Sequence, residues 1–447
     1  MGIEVYATKT PGVGGTIRKS AEDFIVEETL LDGSKATTKQ TETKPALGAT
    51  ETRQRFLLCV LVKRNWDTFI AVKNVAKELG IGQERIQIAG IKDAKAVTAQ
   101  YVTIEGVSAE EAATINFKDI SLHPVGYFRE QLCSFYLLGN NFKIKIREID
   151  QNNTDLEQQI AEVEMEIALA GGIPNFYGHQ RFGTTRAITH LVGKAIVQGN
   201  IEKAAMIFLS KPSLHEHPES MRIRRELQAT KNFQQALRDF PTQLRFEKLM
   251  LAHLVTNSGD FAGAFGRLPP KLQKMFVQAW QSYLFNRFLS ARMKAGFSQN
   301  KAEVGDFVIS VERSGLPMVK ASRVVESQNV TEINRFIQAG KMRVALPIFG
   351  AKQKLSCGVM GELERRVLEE EGVEAQGFKV PAMPEISAKG ELRATVCPIR
   401  NFRAGTAAPD SDRSLQVPLE FMLLRSAYAT ILLRELMKPQ NLVSAGF

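Results

Sequence analysis

One carboxylate in this 447-residue chain has neighbours suited to chemistry: Asp93, in the run Ile88-Ala89-Gly90-Ile91-Lys92-Asp93-Ala94-Lys95-Ala96-Val97-Thr98-Ala99-Gln100. Lys92 precedes it and Lys95 follows two residues on. An acid held among cations is expected to stay ionised, because nearby positive charge favours its charged form. An ionised carboxylate is available as a nucleophile at neutral pH. The same pattern also serves as ordinary turn chemistry, in which a solvated Asp bonds its own backbone.

Other reactive groups are scattered. The four cysteines (Cys59, Cys133, Cys357, Cys397) form no C-x-x-C pair and are expected to be reduced, mostly buried thiols. Of six histidines only His215 and His217 lie close together, with neither cysteines nor a helical register to complete a metal site. Gly12, Gly14 and Gly15 lack the preceding strand and following helix of a dinucleotide-binding loop. Neither metal nor cofactor is expected.

The elements that must position Asp93 follow from periodicity. Arg85-Ile86-Gln87-Ile88 leads in and Tyr101-Val102-Thr103-Ile104 leads out, which predicts strand, tight turn, strand with the acid at the tip. Phe24-Ile25-Val26 predicts a short strand, and Arg55 to Val62 a buried one. Residues 32–53, rich in Thr, Lys, Gly and Ala, predict a mobile surface loop. Asp67 caps a helix whose face is Val72, Val75, Ala76 and Leu79, closed by Gly80. Ser108-Ala109-Glu110-Glu111 is a capping box. Further on, Phe142, Ile144 and Ile146 alternate with Lys143, Lys145 and Arg147, as in a half-buried strand with a cationic face. Leu156, Ile160, Val163 and Ile167 mark an amphipathic helix ending at Gly171-Gly172.

This first part has the pattern of an α/β or α+β sheet domain. From Thr185 to Ala295 the period is helical, with a long helix from Pro270 to Met293. Strands near Phe307-Val308-Ile309 and Arg343-Val344-Ala345-Leu346 and a charged helix around Glu362–Glu374 follow. Residues 375–393 and 402–414 predict linkers. A strand from Leu419 and a helix from Ser426 close the sequence, and the return of a strand suggests that this end rejoins the first domain.

Composition narrows the partner. The chain carries 58 Lys+Arg against 48 Asp+Glu, a net charge of +10, with 44% hydrophobic residues. A globular protein of this length is expected to hold about two domains. The basic excess favours a polyanion, RNA or DNA ahead of a membrane surface. No apolar run reaches the ~18 residues of a bilayer span, and the first residues lack the layout of a signal peptide. A cytoplasmic location is expected.

Five segments together resemble the TruD family of tRNA pseudouridine synthases. They are residues 21–28 (AEDFIVEE), 90–100 (GIKDAKAVTAQ), 139–142 (GNNF), 174–183 (PNFYGHQRFG) and 428–435 (YATILLRE). The resemblance implies an α+β fold, in which a pseudouridine-synthase-type catalytic domain with a mixed sheet and flanking helices is interrupted by a mostly helical, family-specific insertion. The corresponding division is 1–172, catalytic; 173–394, insertion; 395–447, catalytic again. It implies tRNA as partner, uridine at position 13 as target, no cofactor and a monomer. Asp93 would be the nucleophile toward a uridine turned out of its stack. Phe24 and Phe142 match positions that pack against the flipped base, where stacking is worth about 1–3 kcal/mol. Each is equally an ordinary core ring by burial preference.

Asn140 matches a polar residue that positions Asp93 or the uracil edge. Arg18 stands where the family commonly has Lys, expected to pair with the catalytic Asp; a planar fork and a point charge hold a carboxylate differently. Gln180 and Arg181 match a loop that reaches RNA or braces the cleft. The Phe176-Tyr177 order departs from the Tyr-Phe of many members. Met221–Arg225 and Lys341-Met342-Arg343 are candidate phosphate contacts. The alternative class is a non-catalytic RNA-binding or RNA-chaperone protein; a methyltransferase is disfavoured because no glycine loop for a nucleotide-like cofactor is visible.

Overall fold

The computed structural model describes residues 1–39, 46–150, 155–411 and 414–447. Its main element is a ten-stranded mixed sheet. Along the sheet run Ile399–Ala404, Ser414–Leu424, Leu137–Asp150, Phe24–Leu30, Val97–Glu105, Phe56–Arg64, Ile120–Phe128 and Asn116–Phe117. Ile86–Ile88 pairs with Val97–Glu105, and Ala408–Ser411 with Ser414–Leu424. Phe24–Leu30 and Val97–Glu105 run parallel, with Val26 opposite Thr98; the other described pairs of this sheet are antiparallel. A parallel pair needs a crossover, supplied by Phe56–Arg64 and the Asp67-capped helix Thr68–Glu78. The Asp67 carboxylate accepts from the amides of Phe69 and Ile70, as the N-cap spacing predicts.

The long strand Leu137–Asp150 alternates as expected. Phe142, Ile144 and Ile146 are buried, while Lys143 and Lys145 are exposed. Part of its cationic face is answered inside the sheet, where Lys143 pairs with Glu27 at 3.2 Å. The sequence's last strand does return: Ser414–Leu424 pairs with Leu137–Asp150, setting Phe421 opposite Phe142.

Seven helices between Thr189 and Lys294 and an antiparallel four-stranded sheet make the second lobe among the described residues. Its axis is the 25-residue helix Pro270–Lys294, which buries Phe276, Trp280, Phe285 and Phe288 on several faces. The first turns of this helix keep Lys271, Lys274 and Gln278 exposed, while from Ala279 onward most positions are buried. The helix is thus enclosed along its second half, and the core is continuous from Phe24, Phe142 and Phe421 in the sheet to Trp280 and Phe349 in this lobe.

Three expected loops come out differently. Residues 375–393 are no linker: Phe378, Val380, Met383 and Ile386 are buried, on two short 3-10 turns. Gly and Pro break every period there, so burial is achieved one turn at a time without a signal in the pattern. The second expected linker, 402–414, holds the end of the edge strand Ile399–Ala404 and the strand Ala408–Ser411, and its residues 412–413 lie outside the described residues. In the expected 32–53 loop, Ala36 and Ala46 are fully buried, and residues 40–45 lie outside the described residues.

Candidate active site

Asp93 sits in the loop of residues 89–96, between Ile86–Ile88 and Val97–Glu105. This is longer than the expected tight turn, and buried side chains fix it at several points. Lys63, a fully buried lysine at the end of an apolar strand, donates to the main-chain carbonyls of Asp93 and Trp66, both at 2.8 Å. Thr68 brackets Lys92, its hydroxyl accepting from the Lys92 amide and donating to the Lys92 carbonyl, each at 3.1 Å. Gln100 donates to the Gly90 carbonyl at 3.1 Å.

The expected cationic cradle is corrected. The Lys92 ammonium turns away from Asp93 into a buried pair with Glu28 at 2.5 Å, and Lys95 is exposed. The cation that meets Asp93 is Arg18, 75 residues away in sequence, with its Nη2 at 2.9 Å from Asp93 Oδ1. Its other arm, Nη1, donates to the Gly446 carbonyl at 2.9 Å, and its guanidinium lies 4.0 Å over the Phe24 ring. Burial pulls the Arg18 guanidinium below its usual range, and the Asp93 charge opposes that. Gln180 Nε2 donates to the same Asp93 Oδ1 at 2.7 Å. Among the described residues Oδ2 has no hydrogen-bond partner, so one carboxylate oxygen is anchored and the other is left free for chemistry.

A cavity of about 150 Å³ opens over this carboxylate, lined by Arg18, Phe24, Asp93, Asn140, Phe142 and Gln180 among others. Asn140 and Phe142 share one face of their strand because they are two residues apart. The rings are nearly closed off: Phe24 is 1% and Phe142 6% exposed. They meet edge to face at 6.2 Å, and Phe142 stacks on Phe421 at 5.2 Å. Both are thus core residues that also form the cavity wall, and each has little surface left for a ligand. Asn140 makes no hydrogen bond to Asp93; its Oδ1 is buried without a partner among the described residues. The Thr430 hydroxyl, from another element lining the cavity, is likewise unpartnered among the described residues.

Of the two expected roles for Arg181, its contacts are those of a brace. It points to the neighbouring helix, bonding Ser282 Oγ at 3.2 Å and Gln278 Oε1 at 3.3 Å, and lines a second cavity. Within Met221–Arg225, Arg224 is no phosphate contact: it is buried against Glu216 at 2.9 Å and Glu247 at 2.6 Å. Arg222 pairs with Glu226. His217 caps a helix by accepting from the Glu219 amide.

Lys63, Tyr428 and Thr430 were given no role from sequence. A lysine continuing an apolar strand was a usable signal for Lys63, and the other two lie inside the 428–435 segment. Among the described residues, no helix is long and apolar enough to cross a membrane.

The molecule is therefore an α+β protein whose candidate site is built on one carboxylate in a pocket at the centre of a mixed sheet. The family model for tRNA pseudouridine synthase D (TruD) matches residues 1–436. A protein of Methanosarcina acetivorans named probable tRNA pseudouridine synthase D is 38% identical over 98% of this chain and 96% of its own length. One of the same name from Pyrococcus furiosus is also 38% identical, over 97% of this chain and 98% of its own. The crystal structure of the Methanosarcina mazei protein assigned as tRNA pseudouridine synthase D superposes with a TM-score of 0.80 at 37% identity, covering 98% of this chain and 96% of that one. The chain belongs to the TruD family.

Proposed function

We propose that this protein isomerises a uridine of tRNA to pseudouridine, with Asp93 as nucleophile and position 13 as the target. The reading is carried by one observation: Asp93 offers a free Oδ2 to a cavity also lined by Arg18, Phe24, Asn140, Phe142 and Gln180, in a chain of this family. The reaction breaks the N1–C1′ bond, forms a C5–C1′ bond and moves one proton from C5 to N1. Atoms and charge balance without redox partner, water or cofactor.

The cavity is walled by the buried Phe24 and Phe142 rings, beyond the reach of a base still stacked in a helix, so the uridine enters turned out of its stack. Arg18 and Gln180 fix the Asp93 carboxylate through Oδ1, which spares the reaction the entropy of orienting it. The unpartnered Asn140 Oδ1 and Thr430 hydroxyl hydrogen-bond the polar edge of the base, and Phe24 and Phe142 shape the wall beside it. Residues 1–172 and 395–447 form the catalytic domain and 173–394 the insertion, a division supported by the pairing of Ser414–Leu424 with Leu137–Asp150. The protein acts as a monomer in the cytoplasm, as the family resemblance implies.

The test is incubation with unmodified tRNA and mapping of pseudouridine, wild type beside Asp93→Asn. Wild type yields pseudouridine at position 13; the variant yields none and retains tRNA binding. Turnover surviving in the variant would overturn the role of Asp93, and binding without any wild-type turnover would favour the RNA-chaperone reading.

A further inference from the structure

Next to the Asp93 pocket lies a larger cavity of about 420 Å³. Two segments contribute to both. Ala427 and Tyr428 line each cavity, while Gln180 faces Asp93 and the next residue, Arg181, faces the second space. With Ala427 and Tyr428 common to both linings and Gln180 and Arg181 consecutive in the chain, the two spaces adjoin across a shared wall.

The second cavity is lined by four arginines, Arg181, Arg343, Arg393 and Arg425, against one exposed carboxylate, Glu391. Arg343 and Arg393 are each only 8% exposed. Their fixed partners are all neutral. Arg343 donates to the Gly315 carbonyl at 2.9 Å. Arg393 donates to Asn175 and to the Ser426 carbonyl, and lies 4.1 Å over the Tyr177 ring. Arg425 is spent on the carbonyls of Ser134, Phe135 and Leu137.

Among the described residues none of the four forms an ion pair, although Arg343 and Arg393 are buried and Arg181 and Arg425 half-buried, whereas the fully buried Arg224 and Arg292 are held by carboxylates. Buried charge without a counter-ion is costly, and guanidinium forks match phosphate oxygens two at a time. Burial holds the Arg343 guanidinium below its usual range, Cys397 opposing and Arg400 reinforcing that.

We propose that this cavity is an anion subsite holding a backbone phosphodiester of the RNA strand, one linkage away from the nucleotide bound over Asp93. The inference rests on the proposed function and extends it. The bound uridine is kept out of its stack partly by fixing the strand beside it, and Arg343 supplies the donors that no protein group uses.

The test is a set of tRNAs, each with one uncharged methylphosphonate at a linkage flanking the target uridine. They are titrated against wild type, Arg343→Gln and Arg343→Lys. One linkage is expected to cost wild type about tenfold in affinity, the weight of a charge-assisted hydrogen bond, and to cost Arg343→Gln less than twofold. Arg343→Lys falls between. In wild type alone, that linkage also flattens the slope of log K against log salt by about 0.7–0.9, a readout that does not depend on any variant folding. Equal penalties in wild type and Arg343→Gln at every linkage, with wild type active, overturn the subsite. Absence of pseudouridine from wild type with unmodified tRNA counts instead against the proposed function.

Discussion

The ammonium of Lys63 donates to the main-chain carbonyl of Asp93 at 2.8 Å, so the backbone of the candidate nucleophile is fixed by a charge from another strand. Burial lowers this ammonium to about 8, with Asp93 and Asp67 opposing and Lys92 assisting. Because the folded value lies below the ordinary lysine range, the unfolded chain binds more protons between about pH 8 and that range. Stability attributable to Lys63 therefore rises with pH across this window and is lost as pH falls through about 8. Wild type minus Lys63→Met, compared in urea titrations at several pH values, is expected to show that slope. The variant also leaves two buried carbonyls unpaired, at about 1–3 kcal/mol each.

Arg18 bridges Asp93 and Gly446 with its two arms. A lysine ammonium keeps the charge but cannot reproduce the fork. Arg18→Lys is expected to lower kcat by about ten- to a hundredfold, the loss of one charged hydrogen bond, with KM little changed. Single-turnover kinetics check this. A fall confined to KM would show that Arg18 serves binding alone.

The Glu28–Lys92 pair is buried on both sides, and Glu28 also accepts from the Tyr101 amide at 2.8 Å. Glu28→Gln strands a buried ammonium and is expected to cost about 3–5 kcal/mol. Adding Lys92→Met removes the stranded charge and should restore a large part of it. A double-mutant cycle by chemical denaturation measures the coupling; additive losses would mean the pair contributes little.

Asn140 has a buried acceptor that no protein group satisfies. Asn140→Ala is therefore expected to change thermal stability little, since removing an unpaired polar group costs no hydrogen bond. Activity on tRNA should nevertheless fall by about tenfold or more if that acceptor meets the uracil edge. A large drop in melting temperature with unchanged activity would assign Asn140 to the scaffold.

Local patterns were legible in the sequence. The alternation of Phe142, Ile144 and Ile146, the Asp67 cap and the Pro270 helix all follow from spacing within one element, and each forms as expected. The partners of charged groups were not legible from spacing, and the Arg18–Asp93 pair was expected only through the family resemblance. Lys92 is adjacent to Asp93 in sequence, yet pairs with Glu28, while Arg18 and Gln180 reach Asp93 across 75 and 87 residues. Such pairings are set by strand order and register, which a single sequence does not print. Burial in 375–393 was hidden for a different reason, because irregular turns bury side chains without a period.

The strand Ser414–Leu424 lies inside the sheet, between Ile399–Ala404 and Leu137–Asp150. Its contacts join segments nearly three hundred residues apart, and such closures come late in folding. A chain still emerging from the ribosome thus lacks Tyr428 and Thr430 and presents the 14-residue Leu137–Asp150 as an open edge, a template for wrong pairing. Chains stopped before Ser414 are therefore expected to lack a complete wall around Asp93 and to associate through that uncovered edge.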